Sequence, residues 1–123
     1  MVVIVTPLNW SVGWMLILLG FLSGAMIGIG FHLDGFLGGY ASLRRRMLRL
    51  GHSACVALGV INILYSFAPA GSSLTSILFI VGGVTMPSVC CLCAWRERWR
   101  VLFPLPVIAL VTAVAFTLVR GVS

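Results

Sequence analysis

Two histidines and four cysteines are the side chains of this 123-residue chain best suited to bind a metal or a cofactor. Imidazole is a usual axial ligand of haem iron, and helical bundles hold cofactors between facing helices. His32 and His52 are therefore candidate haem ligands. The competing interpretation is that each imidazole bonds a backbone carbonyl, the nearby Asp34 or a lipid phosphate.

Soft metals are a second possibility, because sulfur ligands recur near the second histidine and in the third apolar stretch. A helix brings positions three apart onto one face, as in His52-x-x-Cys55 and Cys90-x-x-Cys93. Together with the Met86 thioether, these side chains could bind copper or zinc. Cysteine and methionine are also ordinary packing residues in apolar helices. We expect free thiols and no resident cofactor, with haem or a soft metal as the alternatives.

The segments that carry these residues are apolar enough for a membrane. Hydrophobic residues make up 61% of the chain and charged residues 8%, against about a quarter charged in soluble domains. The runs are continuous rather than alternating, which favours helices over a β-barrel. We predict an all-α integral membrane protein whose single domain, residues 1–123, is an antiparallel bundle of four transmembrane helices. The predicted spans are residues 12–31, 52–68, 74–94 and 101–119. Residues 1–10 lack the basic start of a signal peptide, so we expect the first span to be retained.

The positive charge of the chain is concentrated in two short bends. The arginines between spans one and two and between spans three and four are Arg44, Arg45, Arg46, Arg49, Arg96, Arg98 and Arg100. Only Arg120 lies beyond the fourth span. Short loops rich in arginine stay in the cytoplasm, so both chain termini are predicted on the outer side. The net charge of +6 therefore predicts contact with anionic lipid headgroups rather than nucleic acid. The expected location is the inner membrane of a bacterium.

Small and polar residues indicate where the helices pack. Gly20, Gly24 and Gly28 recur at four-residue spacing, as in a glycine zipper, which lets another backbone approach closely. Gly59 and Asn62 on span two, with Gly83 on span three, are predicted at helix interfaces. Asn62 is expected to bond another helix. Ser42 can cap a helix that begins in the arginine stretch and lengthens span two.

The sequence supports no catalytic site, because Asp34 and Glu97 are the only carboxylates and both lie near arginines. We expect an accessory or structural subunit of a larger membrane complex, in the setting of a respiratory or other electron-transfer assembly. A haem- or metal-binding protein is the first alternative. A small dimeric transporter or channel is the second, although the spans carry no midplane carboxylate of the kind that couples transport.

Overall fold

The chain folds as an all-helical molecule in a computed structural model that describes residues 6–68 and 71–122. Four α-helices are long and apolar enough to cross a membrane, and the described residues contain no strand. Length and composition thus make the chain a multi-pass integral membrane protein, as predicted. The helices are α1 (Pro7–Gly30), α2 (Leu43–Ser66), α3 (Ser73–Trp95) and α4 (Pro104–Val122).

Local chemistry explains where the helices begin. The Ser42 hydroxyl accepts a hydrogen bond from the Arg45 amide at 3.2 Å, so α2 begins at Leu43 and includes the arginine stretch. The predicted extension of span two is therefore confirmed, and the helix starts well before residue 52. Pro104 opens α4, where its missing amide proton costs little. A 3₁₀ helix at Glu97–Leu102 fills the preceding turn, so α4 begins later than the predicted residue 101.

The bend between α1 and α2 is a compact turn rather than a loose loop. It contains a short 3₁₀ helix at Phe36–Gly38, and the Ser42 hydroxyl donates a 2.7 Å hydrogen bond to the Leu37 carbonyl. Gly38 and Gly39 have φ angles of 88° and 93°, which side-chain-bearing residues rarely adopt. This backbone conformation reverses the chain and positions the arginines that follow.

Each helix packs mainly on the next one along the chain. The contact between α1 and α2 is the most extensive, and α1 also touches α3. In contrast, α4 packs on α3 and the adjoining 3₁₀ turn, with no extensive contact to α1 or α2. A core of Tyr65, Phe79 and Ala113 joins α2, α3 and α4. Among the described residues, one side of α4 is consequently left without a neighbouring helix.

Glycines bring the backbones of α1 and α2 into direct contact. A Cβ atom at Gly13 would lie 2.7 Å from the carbonyl oxygen of Gly59, and one at Gly59 would lie 2.7 Å from that of Gly13. Further along α1, Gly20 faces Val56 and Gly24 faces His52. Residue numbers that rise along α1 thus meet numbers that fall along α2. This interface fixes the rotation of α2 about its axis.

Candidate functional site

A buried polar network joins the first three helices. The Asn9 side-chain amide donates to the Asn62 side-chain oxygen at 3.0 Å, and the Ser76 hydroxyl donates to the Asn9 oxygen. The Asn62 amide donates to the carbonyls of Leu58 at 2.9 Å and Phe79 at 3.2 Å. Both asparagines are fully buried. Since each amide group has its partners inside the chain, the network holds helices together and leaves no group free for a ligand.

Sequence reasoning found only part of this network. It predicted a bond from Asn62 to another helix, and the structure contains bonds to α1 and α3. It made no prediction for Asn9, which is buried in the first turn of α1. An amide at the start of an otherwise apolar span was the available signal, because an amide in hydrocarbon requires a partner.

His52 is oriented by α1. Its Nδ1 lies 2.6 Å from the Gly20 carbonyl oxygen. A carbonyl oxygen can only accept, so Nδ1 carries the proton, and in the neutral imidazole Nε2 keeps a lone pair. The ring fits because residue 24 is glycine: a Cβ there would lie 2.4 Å from the His52 Cε1 atom. Two of the predicted packing glycines thus shape the pocket of a candidate ligand.

The other candidate ligands do not gather around His52. His32 lies just beyond α1 and is exposed. The residue of α2 that meets Cys90 is Gly51, whose Cβ would lie 3.1 Å from the Cys90 Cβ, whereas His52 turns toward α1. Cys90 and Cys93 are buried. Within residues 6–68 and 71–122, no three His, Cys, Asp or Glu side chains are placed to hold a metal ion.

The sulfur-bearing residues differ in their exposure. The thiols of Cys55, Cys90, Cys91 and Cys93 are all free, and Cys91 is exposed. Cys55 lines an apolar groove between α1 and α3, and Met86 is half-buried on α3. Within the described residues, the members of the predicted copper or zinc set do not come together as one metal-binding group.

The predicted packing glycines contact neighbouring helices with one exception. Gly20, Gly24 and Gly59 lie at the interface between α1 and α2, and a Cβ at Gly83 would lie 2.9 Å from the Asn62 side-chain nitrogen. A Cβ at Gly28 would have no neighbour within 4 Å. The α1 residue that completes the contact surface is Gly13, which lies outside the four-residue repeat.

One arginine links the two basic bends. The Arg44 Nε donates to the Ala94 carbonyl at 3.0 Å, and its guanidinium carbon lies 5.1 Å from the Trp95 ring centroid. The start of α2 and the end of α3 are therefore at the same end of the molecule. Glu97 and Arg100 form an exposed ion pair at 3.9 Å, the single salt bridge among the residues that the structure describes. Arg46, Arg96 and Arg98 are exposed.

Arg45 is unlike the other arginines because only 5% of its surface is exposed. Its guanidinium carbon lies 4.6 Å from the Phe31 ring centroid and 5.5 Å from that of Tyr40. Its Nε is buried and has no hydrogen-bond partner in the described part of the chain. Arg49 approaches the same Tyr40 ring at 4.6 Å. Hydrogen bonding to Arg49 and its positive charge, followed by the charge of Arg45, lower the pKa of the exposed Tyr40 phenol.

Comparison with known proteins gives no match: no family model, curated protein or solved structure matches this chain significantly. Three features of the molecule bear on its function. They are the internal polar network, the oriented imidazole of His52 and the buried guanidinium of Arg45.

Proposed function

We propose that this protein is a non-catalytic, structural subunit of a larger membrane complex. The observation that carries the proposal is the position of α4, which packs on α3 but not extensively on α1 or α2. Polar groups inside the bundle support the same role, since Asn9 and Asn62 are used entirely for contacts between helices of this chain. A respiratory or other electron-transfer assembly is the proposed setting.

The free side of α4 has the character of a helix-docking surface. Ala109 and Ala113 are buried on the inner side, whereas Ile108, Val111 and Leu118 are 63% to 67% exposed. Bulky aliphatic side chains suit lipid or a neighbouring helix, and between helices in a membrane the gain comes from close packing. We assign this side to a transmembrane helix of a partner subunit.

The proposed topology is an antiparallel bundle in a bacterial inner membrane, with both termini outside. The contact between Arg44 and Ala94 supports it, because it unites the two arginine-rich bends at one end. Seven arginines then lie on the cytoplasmic side by the positive-inside rule.

Isolation at native abundance in a mild detergent tests the structural role. We expect the 13.2 kDa chain to migrate in a complex of defined size, with larger partner subunits in fixed stoichiometry. Redox-active subunits among those partners would support the electron-transfer setting. Recovery of the chain as a lone monomer from membranes solubilised under several mild conditions would contradict the proposal.

Haem or metal binding through His52 is the second candidate, and the hydrogen bond of its Nδ1 to Gly20 is the observation that favours it. Imidazoles that ligate metals usually donate their other ring N–H in this way, which fixes the tautomer and aims Nε2 at the metal. The purified chain should then show a haem absorption band or a bound metal that is lost in His52→Ala. Loss of the same signal in His32→Ala would add the exposed imidazole as second ligand. A colourless, metal-free protein would exclude this candidate.

A further inference from the structure

We propose that the bend between α1 and α2 binds one anionic phospholipid, with its phosphate on Arg45 and an acyl chain in the adjoining groove. This site is independent of the structural role proposed above. It also differs from general attraction between surface arginines and a membrane, because it assigns one lipid to one position.

The buried guanidinium of Arg45 requires an anion. A charged group removed from water costs several kcal/mol unless an opposite charge and hydrogen bonds compensate it. Among the described residues no carboxylate lies within salt-bridge distance of Arg45, although Asp34 belongs to the same bend. The Nε donor is buried without an acceptor. A phosphate oxygen would supply both the missing acceptor and the missing negative charge.

Two aromatic rings hold the guanidinium in position. The faces of Phe31 and Tyr40 attract the cation at 4.6 Å and 5.5 Å, but a ring face gives little to a planar fork of N–H donors. The rings therefore restrain the side chain while its Nε donor remains without an acceptor. Restraint of this kind lowers the entropy that a ligand must overcome on binding. Arg49, whose guanidinium carbon lies 4.6 Å from the Tyr40 ring centroid, places a second positive charge at the same bend.

An apolar groove lies between α1, the bend and α2, and one of its lining residues is one helical turn from Arg45. It has a volume of about 360 Å³, and its walls are Ser23, Met26, Ile27, Phe36, Leu37 and Leu48. Leu48 lies one helical turn from Arg45 on α2, and Ile27 lies one turn before Phe31 on α1. Phe36, one of the wall residues, packs directly on Gly30 of α1. A Cβ at residue 30 would clash with the Phe36 ring, so the ring lies close against the α1 backbone. Free phosphate would gain nothing from contact with an apolar groove, whereas the acyl chain of a lipid would fill it.

The charge of the bend selects the type of headgroup. The segment between residues 31 and 49 contains a single acid, Asp34. It contains four arginines, which are Arg44, Arg45, Arg46 and Arg49. The ammonium of a zwitterionic lipid would be repelled there, whereas a headgroup with a net negative charge would not. Phosphatidylglycerol is therefore the matched probe and phosphatidylcholine with the same acyl chains the mismatched one.

Native mass spectrometry of the full chain in detergent, titrated with each lipid, tests the site. Arg45→Met removes the buried charge and keeps an apolar stem, while Arg46→Met removes an exposed charge from the neighbouring position. We expect wild type to retain one phosphatidylglycerol in preference to phosphatidylcholine. Loss of a charge-assisted hydrogen bond should weaken binding about tenfold in Arg45→Met. Arg46→Met should stay within about twofold of wild type. Equal losses in the two variants, or no preference between the lipids, would overturn the proposal.

Three further measurements test the acyl-chain position and separate lipid binding from phosphate binding and from a folding defect. Leu48→Trp fills the groove and leaves Arg45 intact, so it should also lose phosphatidylglycerol; unchanged binding would overturn the acyl position. Inorganic phosphate should neither bind detectably nor displace the lipid, and stoichiometric phosphate binding would overturn the choice of a lipid.

Thermal unfolding in phosphatidylcholine should show Arg45→Met at least as stable as wild type. Phosphatidylglycerol should then raise the Tm of wild type only. An Arg45→Met chain that unfolds without lipid would contradict the account of an uncompensated charge.

Discussion

Asn62 shows how an amide inside a membrane protein can be used wholly for packing. Its side chain bonds three other residues, Asn9, Leu58 and Phe79, and none of its surface is exposed. In hydrocarbon there is no water to replace a lost partner. The stability of the bundle should therefore be sensitive to this one residue.

We predict that Asn62→Leu lowers the free energy of unfolding by about 1–3 kcal/mol, because Asn9 and the Phe79 carbonyl lose a buried partner at little change in volume. Ser88→Ala is the matched control, since the Ser88 hydroxyl is exposed and bonds only the Val84 carbonyl of its own helix. The control should change stability by less than about 0.5 kcal/mol. Denaturant titration in detergent measures both, and equal effects would contradict the network.

Tyr40 provides a prediction about pH at the basic bend. Arg49 lowers the pKa of this phenol below its ordinary value of 10.0, so the folded protein releases the proton before the unfolded chain does. The attraction between phenolate and Arg49 therefore stabilises the fold above about pH 10 and is lost as pH falls through the lowered pKa. The phenolate absorbance of wild type minus that of Tyr40→Phe isolates this titration. Arg49→Met should move it upward; an unchanged midpoint would show that Arg49 is not the cause.

At the scale of elements, the direct contact between α1 and α2 rests on Gly13 and Gly59. A Cβ at residue 59 would lie 2.7 Å from a backbone oxygen and 2.8 Å from the Ile17 Cγ1 atom. We predict that Gly59→Ala costs about 1–3 kcal/mol of unfolding free energy by overpacking. Gly28→Ala meets open space and should be neutral or stabilising by up to about 1 kcal/mol. A comparable loss in both variants would mean that glycine content, rather than this contact, matters.

The contrast between Gly28 and Gly13 also explains how far the sequence could predict the elements. Hydropathy, the Ser42 cap and the glycine-rich bend were sufficient to predict four helices and the extension of α2 into the arginines. The rotation of α2 could not be predicted, because it depends on which glycine pair touches. That rotation turns His52 toward Gly20 and leaves Gly51 facing Cys90.

At the scale of the whole molecule, the proposed topology places the arginine-rich bends inside the cell. A membrane-impermeant maleimide should label Gly71→Cys in intact cells, because residue 71 is exposed between α2 and α3. Arg46→Cys should be labelled only after the membrane is opened. Wild type gives the background from the four native thiols. Labelling of Arg46→Cys in intact cells would show that the first arginine-rich bend lies outside the cell and would contradict the proposed topology.

Under the proposed structural role, α4 is the helix that we expect to contact a partner subunit. The first three helices are held together by the hydrogen bonds of Asn9 and Asn62, which reach Ser76 and the Phe79 carbonyl on α3, and no residue of α4 takes part in these bonds. Its inner side is secured by Leu110, which fills the space above Gly82. A partner helix on the outer side would not disturb this packing.

The most direct test of the structural role is native electrophoresis of membranes that carry Val111→Trp or Ile29→Trp at native abundance. Both positions are exposed, at 63% on α4 and 74% on α1, so neither variant should unfold the chain. We predict that Val111→Trp releases the protein from its complex, whereas Ile29→Trp leaves it assembled. Assembly that survives Val111→Trp unchanged would contradict the assignment of α4 as the docking helix.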